Sequence, residues 1–220
     1  MTQSTLSAGT SISGYHYASA ALGCAHSYLL PVLQAELAQI TLPVKKVFDL
    51  GCGNGSVANW FRQQGFDVVG VDPSEAGVVE ARAAYPSIPI HQGSCYDPLN
   101  ERFGTFPLVV SLEVVEHVYA PRLFAQCVRE LLEDGGYALI STPYHGYWKN
   151  LTLALAGKMD DHFTALWDHG HIKFWSPKTI TQLFVDAGLV VERVHRVGRI
   201  PPLAKSMLVV VRKSGVDRSP

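Results

Sequence analysis

Several absences narrow what this chain can be before any motif is considered. Charge is scarce: 17% of the residues are Asp, Glu, Lys or Arg, and they sum to a net −1, against about a quarter charged in an ordinary globular domain. Such a chain has no overall field for gathering a polyanion, so no nucleic acid is expected and a small-molecule partner is favoured. Cysteine is equally thin. Cys24, Cys52, Cys95 and Cys127 lie far apart with no Cys-x-x-Cys pair, which argues against a zinc cluster or a disulfide framework and for small buried thiols in a reducing compartment. No apolar run reaches the roughly 18 residues of a membrane span. The opening stretch MTQSTLSAGTSISGYHYASAALG has no basic segment ahead of an apolar core, so a secretory leader is not expected and the cytoplasm is the expected location.

What is present is apolar, 47% of 220 residues, enough to close one sizeable core. Short apolar runs alternate with helical patterns. They predict strands at Lys45 to Leu50, Asp67 to Val71, Ile88 to His91, Leu108 to Leu112 and Tyr137 to Ser141. Helices are predicted over Tyr28 to Ile40, with Pro31 in its first turn, and over Ser56 to Gln64, Ser74 to Tyr85, Pro121 to Glu133 and Pro177 to Ala187. Leu189 to Val197 and Ser206 to Arg212 are separated by GRIPPLAK, too short for a crossover helix, so this pair should run antiparallel. Tyr144 to Trp175 is too long for a connector and holds LTLALAG, three tryptophans (Trp148, Trp167, Trp175) and four histidines (His145, His162, His169, His171). Segments of that kind are lids or binding elements. The expected layout is an N-terminal helical cap segment over 1–43, a ligand-binding core over 44–143, an acceptor cap over 144–175, a return helix and hairpin over 176–213, and a frayed tail over 214–220.

Chemistry is densest in VFDLGCGNG, Val47 to Gly55, and in VVGVD, which ends at Asp72, 21 residues after Gly51. A buried strand that breaks into glycines and then a helix should offer bare backbone N–H groups to a ligand, and an acid at the next strand's tip can take both hydroxyls of a ribose. Spacing narrows the nucleoside. Ser56 stands where a dinucleotide fingerprint has its third glycine, and no Gly-Lys-Ser/Thr follows, so neither pyrophosphate nor a triphosphate is favoured. A nucleoside carrying its own amino acid remains, with Asp49 placed to reach an ammonium.

This loop resembles the S-adenosylmethionine (SAM) loop of class I methyltransferases. Asp72-Pro73-Ser74 is similar to the family's second motif, Gln92-Gly93-Ser94-Cys95 to the segment bordering the adenine, LVVSLEVVEHV to the fourth strand and its turn, and GGYALISTP to the fifth strand. Val44 to Lys213 can be laid on that scheme, one domain's worth of chain. EVVEH followed by STP is most similar to the ubiquinone-biosynthesis O-methyltransferase-like group. The resemblance implies an α/β fold: a Rossmann-like, doubly wound, mostly parallel seven-stranded sheet with an antiparallel C-terminal hairpin strand and a helical cap insertion. It implies SAM as cofactor, S-adenosylhomocysteine as product and O-methylation of an aromatic or lipophilic small molecule. It also implies cofactor contacts at Tyr17, Asp49, Gly51, Cys52, Gly53, Asp72, Pro73, Ser74, Gly93, Ser94, Cys95, Leu112 and Glu113. One departure stands out: where the family often has an acid after the third strand, this chain has Ser94 and Cys95, which leaves adenine recognition to backbone groups or Ser94 Oγ. A monomer or homodimer is expected, and the resemblance to quinone-modifying enzymes permits peripheral membrane contact through the cap.

Methyl transfer to a hydroxyl needs alignment and a base of near-neutral pKa. His145 at the tip of the fifth strand is the first candidate, with His117 and His171 beside it, while His16 is placed to close over the cofactor. Glu113, Glu116 and His117, spaced i, i+3, i+4, would share one face of a helical turn. In some relatives an ExxEH of this kind holds a magnesium-like ion, so a divalent metal is a candidate cofactor. His26, His91 and His195 read as structural, and Arg193, Arg196, Arg199 and Lys205 as a solvated face, with contact to an anionic acceptor as the alternative. Two rivals remain: a short-chain NAD-dependent oxidoreductase, although Tyr144 and Tyr147 have no lysine four residues on, and a noncatalytic SAM-binding module. With Asp72 as the ribose acid, Asp72→Ala should weaken SAM binding by roughly 1.5 to 3 kcal/mol. Calorimetry returning unchanged affinity would reject that role.

Overall fold

The computed structural model describes residues 22–167 and 170–215; Tyr17, His16 and His169 lie outside the described residues. One seven-stranded sheet organises the chain. β1 (Lys46–Leu50), β2 (Asp67–Asp72), β3 (Ile90–Gln92), β4 (Phe106–Leu112) and β5 (Leu132–Pro143) are parallel, and β7 (Ser206–Arg212) runs antiparallel between β5 and β6 (Val190–Val197), in the order β3-β2-β1-β4-β5-β7-β6. This is the doubly wound sheet with an antiparallel end that the motif pattern implies.

Both faces of the sheet are apolar, so both must be covered. Successive residues along β4 and β7 point to opposite sides: Val109, Val209 and Val211 enter one core, Leu108, Val110, Leu208 and Val210 the other. The first core is closed by α4 (Leu99–Phe103), α5 (Pro121–Leu131) and α8 (Pro177–Asp186), the second by α1 (His26–Leu37), α2 (Ser56–Gln63) and α3 (Glu75–Ala84). Because the chain lays β2 and β3 to one side of β1 and β4 and β5 to the other, the crevice beyond the carboxyl ends of β1 and β4 stays open. Gly51 and Glu113 are the first residues past those two ends.

Several expectations need correction. α1 begins two residues earlier than predicted, so Pro31 sits inside it rather than in its first turn and removes one helical hydrogen bond. β5 begins at Leu132 and carries a register shift opposite Phe106 and Leu108, with Gly135 at φ +80°; a bulge of that kind hides from a period-two reading. Glu113 to His117 forms a turn and no helix, with His117 N donating to Val114 O. In the cap, the LTLAL of LTLALAG ends α6 (Tyr147–Leu155), none of whose residues is buried; Ala156 and Gly157 follow its end, and then the short α7 (Met159–Phe163). Among the described residues no helix is long and apolar enough to cross a membrane.

α1 is held by charge as well as by packing. Leu29 and Leu33 bury its inner face, and on the next turn so does Glu36, 1% exposed. Its carboxylate meets Arg193 Nη2 at 2.8 Å and His195 Nε2 at 2.7 Å, both from β6. A buried carboxylate survives only with such partners. Glu36→Ala strands the Arg193 guanidinium and the His195 ring, and urea unfolding should show a loss of about 1 to 3 kcal/mol. A change within error of zero would mean that the leucines alone seat the helix.

Candidate functional site

The glycine loop is built differently from its first reading. Gly51, Gly53 and Gly55 adopt φ of +82°, +51° and +75°, a left-handed run that only glycine follows without strain. A Cβ on Gly51 would come within 2.5 Å of Val114 Cγ2, so the β1 and β4 loops touch there. The amides, however, are not bare. Gly51 N and Cys52 N both donate to Val71 O, Gly55 N to Cys52 O, and Gly53 N to Asp72 Oδ2 at 2.8 Å. Folding satisfied them because a buried donor must be paired. The loop therefore offers a ligand close approach to the main chain rather than these hydrogen bonds.

Several residues expected at a cofactor do structural work. Ser74 is fully buried and caps α3 by accepting from Gly77 N. The Cys52 thiol joins the second core. Asp72 accepts from Gly53 N and Ser74 N, both at 2.8 Å, so it ties the loop to β2; each oxygen keeps a lone pair for a sugar hydroxyl. Ser94 Oγ accepts from Tyr96 N, while its N–H donates to Asp97 Oδ2 at 2.7 Å. Asp97, three residues on, closes this turn, its N–H donating to Ser94 O at 3.0 Å. Leu112 is buried at the crevice edge; Pro73, Gly93 and Cys95 are partly covered.

Asp49 is the sharpest feature of this half. It is fully enclosed, its Oδ2 has no partner among the described residues, and burial together with nearby Asp72 pushes its pKa up to about 8. An orphaned buried carboxylate oxygen beside a glycine turn suits the ammonium of an amino-acid-bearing nucleoside, so the residues present fit SAM.

Across the crevice the EVVEH turn splits in two. Glu113, at φ +56°, accepts from Ser141 Oγ at 2.8 Å and Ser206 Oγ at 3.2 Å, and Tyr28 Oη lies 3.2 Å from Ser206 Oγ. Burial pushes its pKa up to about 7 against the pull of those two hydroxyls. Glu113 therefore leaves the expected metal trio. Glu116 instead meets His117 and His171, one ligand atom from each lying within 4.8 Å of the others. Glu116 is 1% exposed, and burial with nearby Glu113 pushes its pKa well up. Thr142 sits close enough to temper that shift, yet neither Glu116 oxygen nor Thr142 Oγ1 has a partner at hydrogen-bonding geometry among the described residues. His117 Nδ1 is 3.2 Å from Gly170 O, which with Nδ1 protonated leaves Nε2 as the ring's basic nitrogen. Ile172 N and Lys173 N donate to Glu116 O, and these bonds dock the cap's returning chain on the turn. One carboxylate and two imidazoles suit a borderline divalent ion better than magnesium, which prefers oxygen.

His145 sits apart from that trio, 7% exposed, with its ring 5.2 Å from His162 and 5.0 Å from Phe174. Burial and the Lys149 charge bring its pKa down to about 4, so it is neutral at pH 7 and a weak base. It borders a cavity of about 420 Å³ with Asn150, Phe163 and His171. A second cavity of about 430 Å³ opens beside it between α6 and the β6–β7 connection, and His171 lines both. The cap's ends, Tyr144 and Trp175, are buried and paired by a bridge, whereas Trp148 and Trp167 remain exposed. Ser141 and Ser206 were missed by the sequence reading; a lone serine in an apolar strand is their only signal.

Residues 22–194 match a family described as a methyltransferase domain. The chain is similar to the ubiquinone biosynthesis O-methyltransferase of Bradyrhizobium diazoefficiens, 28% identical over 159 residues, 66% of this chain and 58% of the relative. It is also similar to that of Psychrobacter arcticus, 29% identical over 167 residues, 70% and 62%, and to the human mitochondrial one, 29% identical over 159 residues, 68% and 42%. The chain thus spans about three-fifths of the length of the two bacterial relatives. Among solved structures, an S-adenosylmethionine dependent methyltransferase from Mesorhizobium loti superposes with TM-score 0.64 at 21% identity, over 87% of this chain and 99% of that one. Magnesium protoporphyrin IX methyltransferase from Synechocystis, solved with bound S-adenosylhomocysteine, gives TM-score 0.64 at 18% identity over 84% and 82%.

The raised pKa of Asp49 has a stability consequence. Between about pH 4 and 8 the folded chain keeps this proton while the unfolded chain loses it, so the group makes the ligand-free fold less stable as pH rises through that window. Asp49→Asn should stabilise the ligand-free protein at pH 8 by on the order of 2 to 4 kcal/mol, and much less at pH 4. Urea unfolding at both pH values measures this; equal effects at the two would refute the buried, protonated carboxyl.

Proposed function

The chain belongs to the SAM-dependent methyltransferase family, and from that premise we propose that it transfers a methyl group to a hydroxyl oxygen of an aromatic or lipophilic small molecule received under the cap. The names of its curated relatives support oxygen as the methylated atom. When bound, SAM supplies an activated methyl on a sulfonium. The chain's own part is to hold and align. Asp49 takes the ammonium, Asp72 the ribose hydroxyls, and Gly51 and Gly53 let the main chain lie close.

One observation carries the acceptor half: Glu116, buried with neither oxygen hydrogen-bonded among the described residues, lies 4.0 Å from His171, the residue that lines both cap cavities. A carboxylate kept that way needs a proton or a cation. In this reading Glu116, His117 and His171 receive the acceptor's hydroxyl: Glu116 in its ionised form takes the proton, and with the two imidazoles it would hold a divalent ion, which would supply Lewis-acid charge at that oxygen. Glu113 is a positioning residue for this turn, fixed through Ser141, Ser206 and Tyr28. His145 borders the acceptor's ring or chain. The apolar residues left exposed on α6 support a lipophilic acceptor or a surface that delivers one. Glu116→Gln should lower S-adenosylhomocysteine release by about 100-fold or more while SAM affinity stays within about twofold. Turnover that survives this substitution places the proton acceptor elsewhere, and loss on chelation with restoration by manganese or zinc distinguishes the metal-assisted form.

A further inference from the structure

The larger cavity has a chemical bias that methyl transfer does not require. Lys149, Arg199 and Lys205 are the lysines and arginine on its wall, they come from α6 and from both ends of the β6–β7 connection, and among the described residues no carboxylate lines it. The other arginines of β6 and β7 are accounted for: Arg193 binds Glu36 and Glu192, Arg212 faces Glu192, and Arg196 lies over the Tyr144 ring. Among the described residues, no ion pair engages the three at the cavity, although Lys205 Nζ also lies 5.4 Å from the centre of the Tyr28 ring. Lys149 Nζ donates to Tyr144 O at 2.7 Å and lies 3.4 Å from Lys205 O, which fixes it in place. Burial first, and Arg199 next, bring its pKa down to about 8, while Glu113 opposes them. Cations gathered in a half-enclosed, largely apolar space repel one another until an anion arrives.

We propose that this cavity is an anion subsite in which Lys149, Arg199 and Lys205 bind a carboxylate or phosphate of the acceptor while its apolar body lies against Trp167, Leu153 and Leu203. The assignment rests on the cap being the acceptor's seat. It makes the acceptor amphiphilic: anchored by charge at the rim, it extends toward His171, which joins this cavity to Glu116.

The test uses one ring with three substituents: 2-naphthoate, 2-naphthyl phosphate and neutral 2-naphthamide, titrated into the full chain holding S-adenosylhomocysteine and followed by calorimetry. Both anions should bind at least about tenfold more tightly than the amide, and added salt should shrink the ratio. The ratio should fall toward unity in the double variant Arg199→Gln, Lys205→Gln, whose side chains are exposed and so leave the core intact. Equal affinities in the unaltered chain, no binding of either anion at about millimolar concentration, or a ratio that survives the double substitution would overturn the proposal. So would an effect of the variant confined to retention on phosphatidylglycerol vesicles, which would assign the cations to a lipid headgroup. Cofactor affinity measured on the same samples separates two failures. A chain that binds SAM without preferring the anions loses this subsite alone; one that prefers them without binding SAM loses the methyl-transfer reading alone.

Discussion

Four carboxylates sit at or just past the carboxyl ends of β1, β2 and β4 with no lysine or arginine paired to them among the described residues: Asp49, Asp72, Glu113 and Glu116. Removing a carboxylate from water is costly unless a proton, a donor or a cation replaces the solvent. Asp72 and Glu113 are answered by main-chain amides and serine hydroxyls. Asp49 Oδ2 and both oxygens of Glu116 are not answered among the described residues. The fold thus holds acids whose best partners are positive groups from outside, and a ligand with an ammonium and a sulfonium meets that demand on the β1 side.

The sheet makes this arrangement possible. Its strand order brings the loops after β1 and β4 together, so Gly51 touches Val114 while the acids face one crevice. Both apolar faces are covered by helices, which gives the edge a rigid base. The cap contributes the opposite charge. Its cavity wall is basic where the sheet edge is acidic, and His171, held beside Glu116 by main-chain bonds to the turn, marks the border. An acceptor spanning that border would present its hydroxyl to the acids and its far end to the cations.

Much of this was legible beforehand, for reasons that differ by residue. Val47 to Leu50 and Leu108 to Leu112 read as strands because fully buried strands are continuous apolar runs. Asp49, Gly51, Gly53 and Asp72 were visible because their spacing leaves few folds to choose from. The state of the loop amides was not legible, since Val71 O, their partner, belongs to another strand and pairing is a tertiary fact. The same holds for the EVVEH turn: i, i+3, i+4 spacing predicts a shared face only on a helix, and the positive φ of Glu113 turned it away from Glu116. His171 joined Glu116 through a contact 55 positions distant in sequence, and the neutralisation of Arg193 by Glu36 required knowing where α1 docks.

The central claim is that Asp49 is a protonated acid waiting for a cation. Calorimetry of SAM binding at pH 7 in buffers of different ionisation enthalpy reads this through the protons exchanged. With Asp49 near pKa 8 in the ligand-free chain, binding an ammonium against it should release about one proton per site. Binding that releases none, with an enthalpy independent of buffer, would contradict the claim.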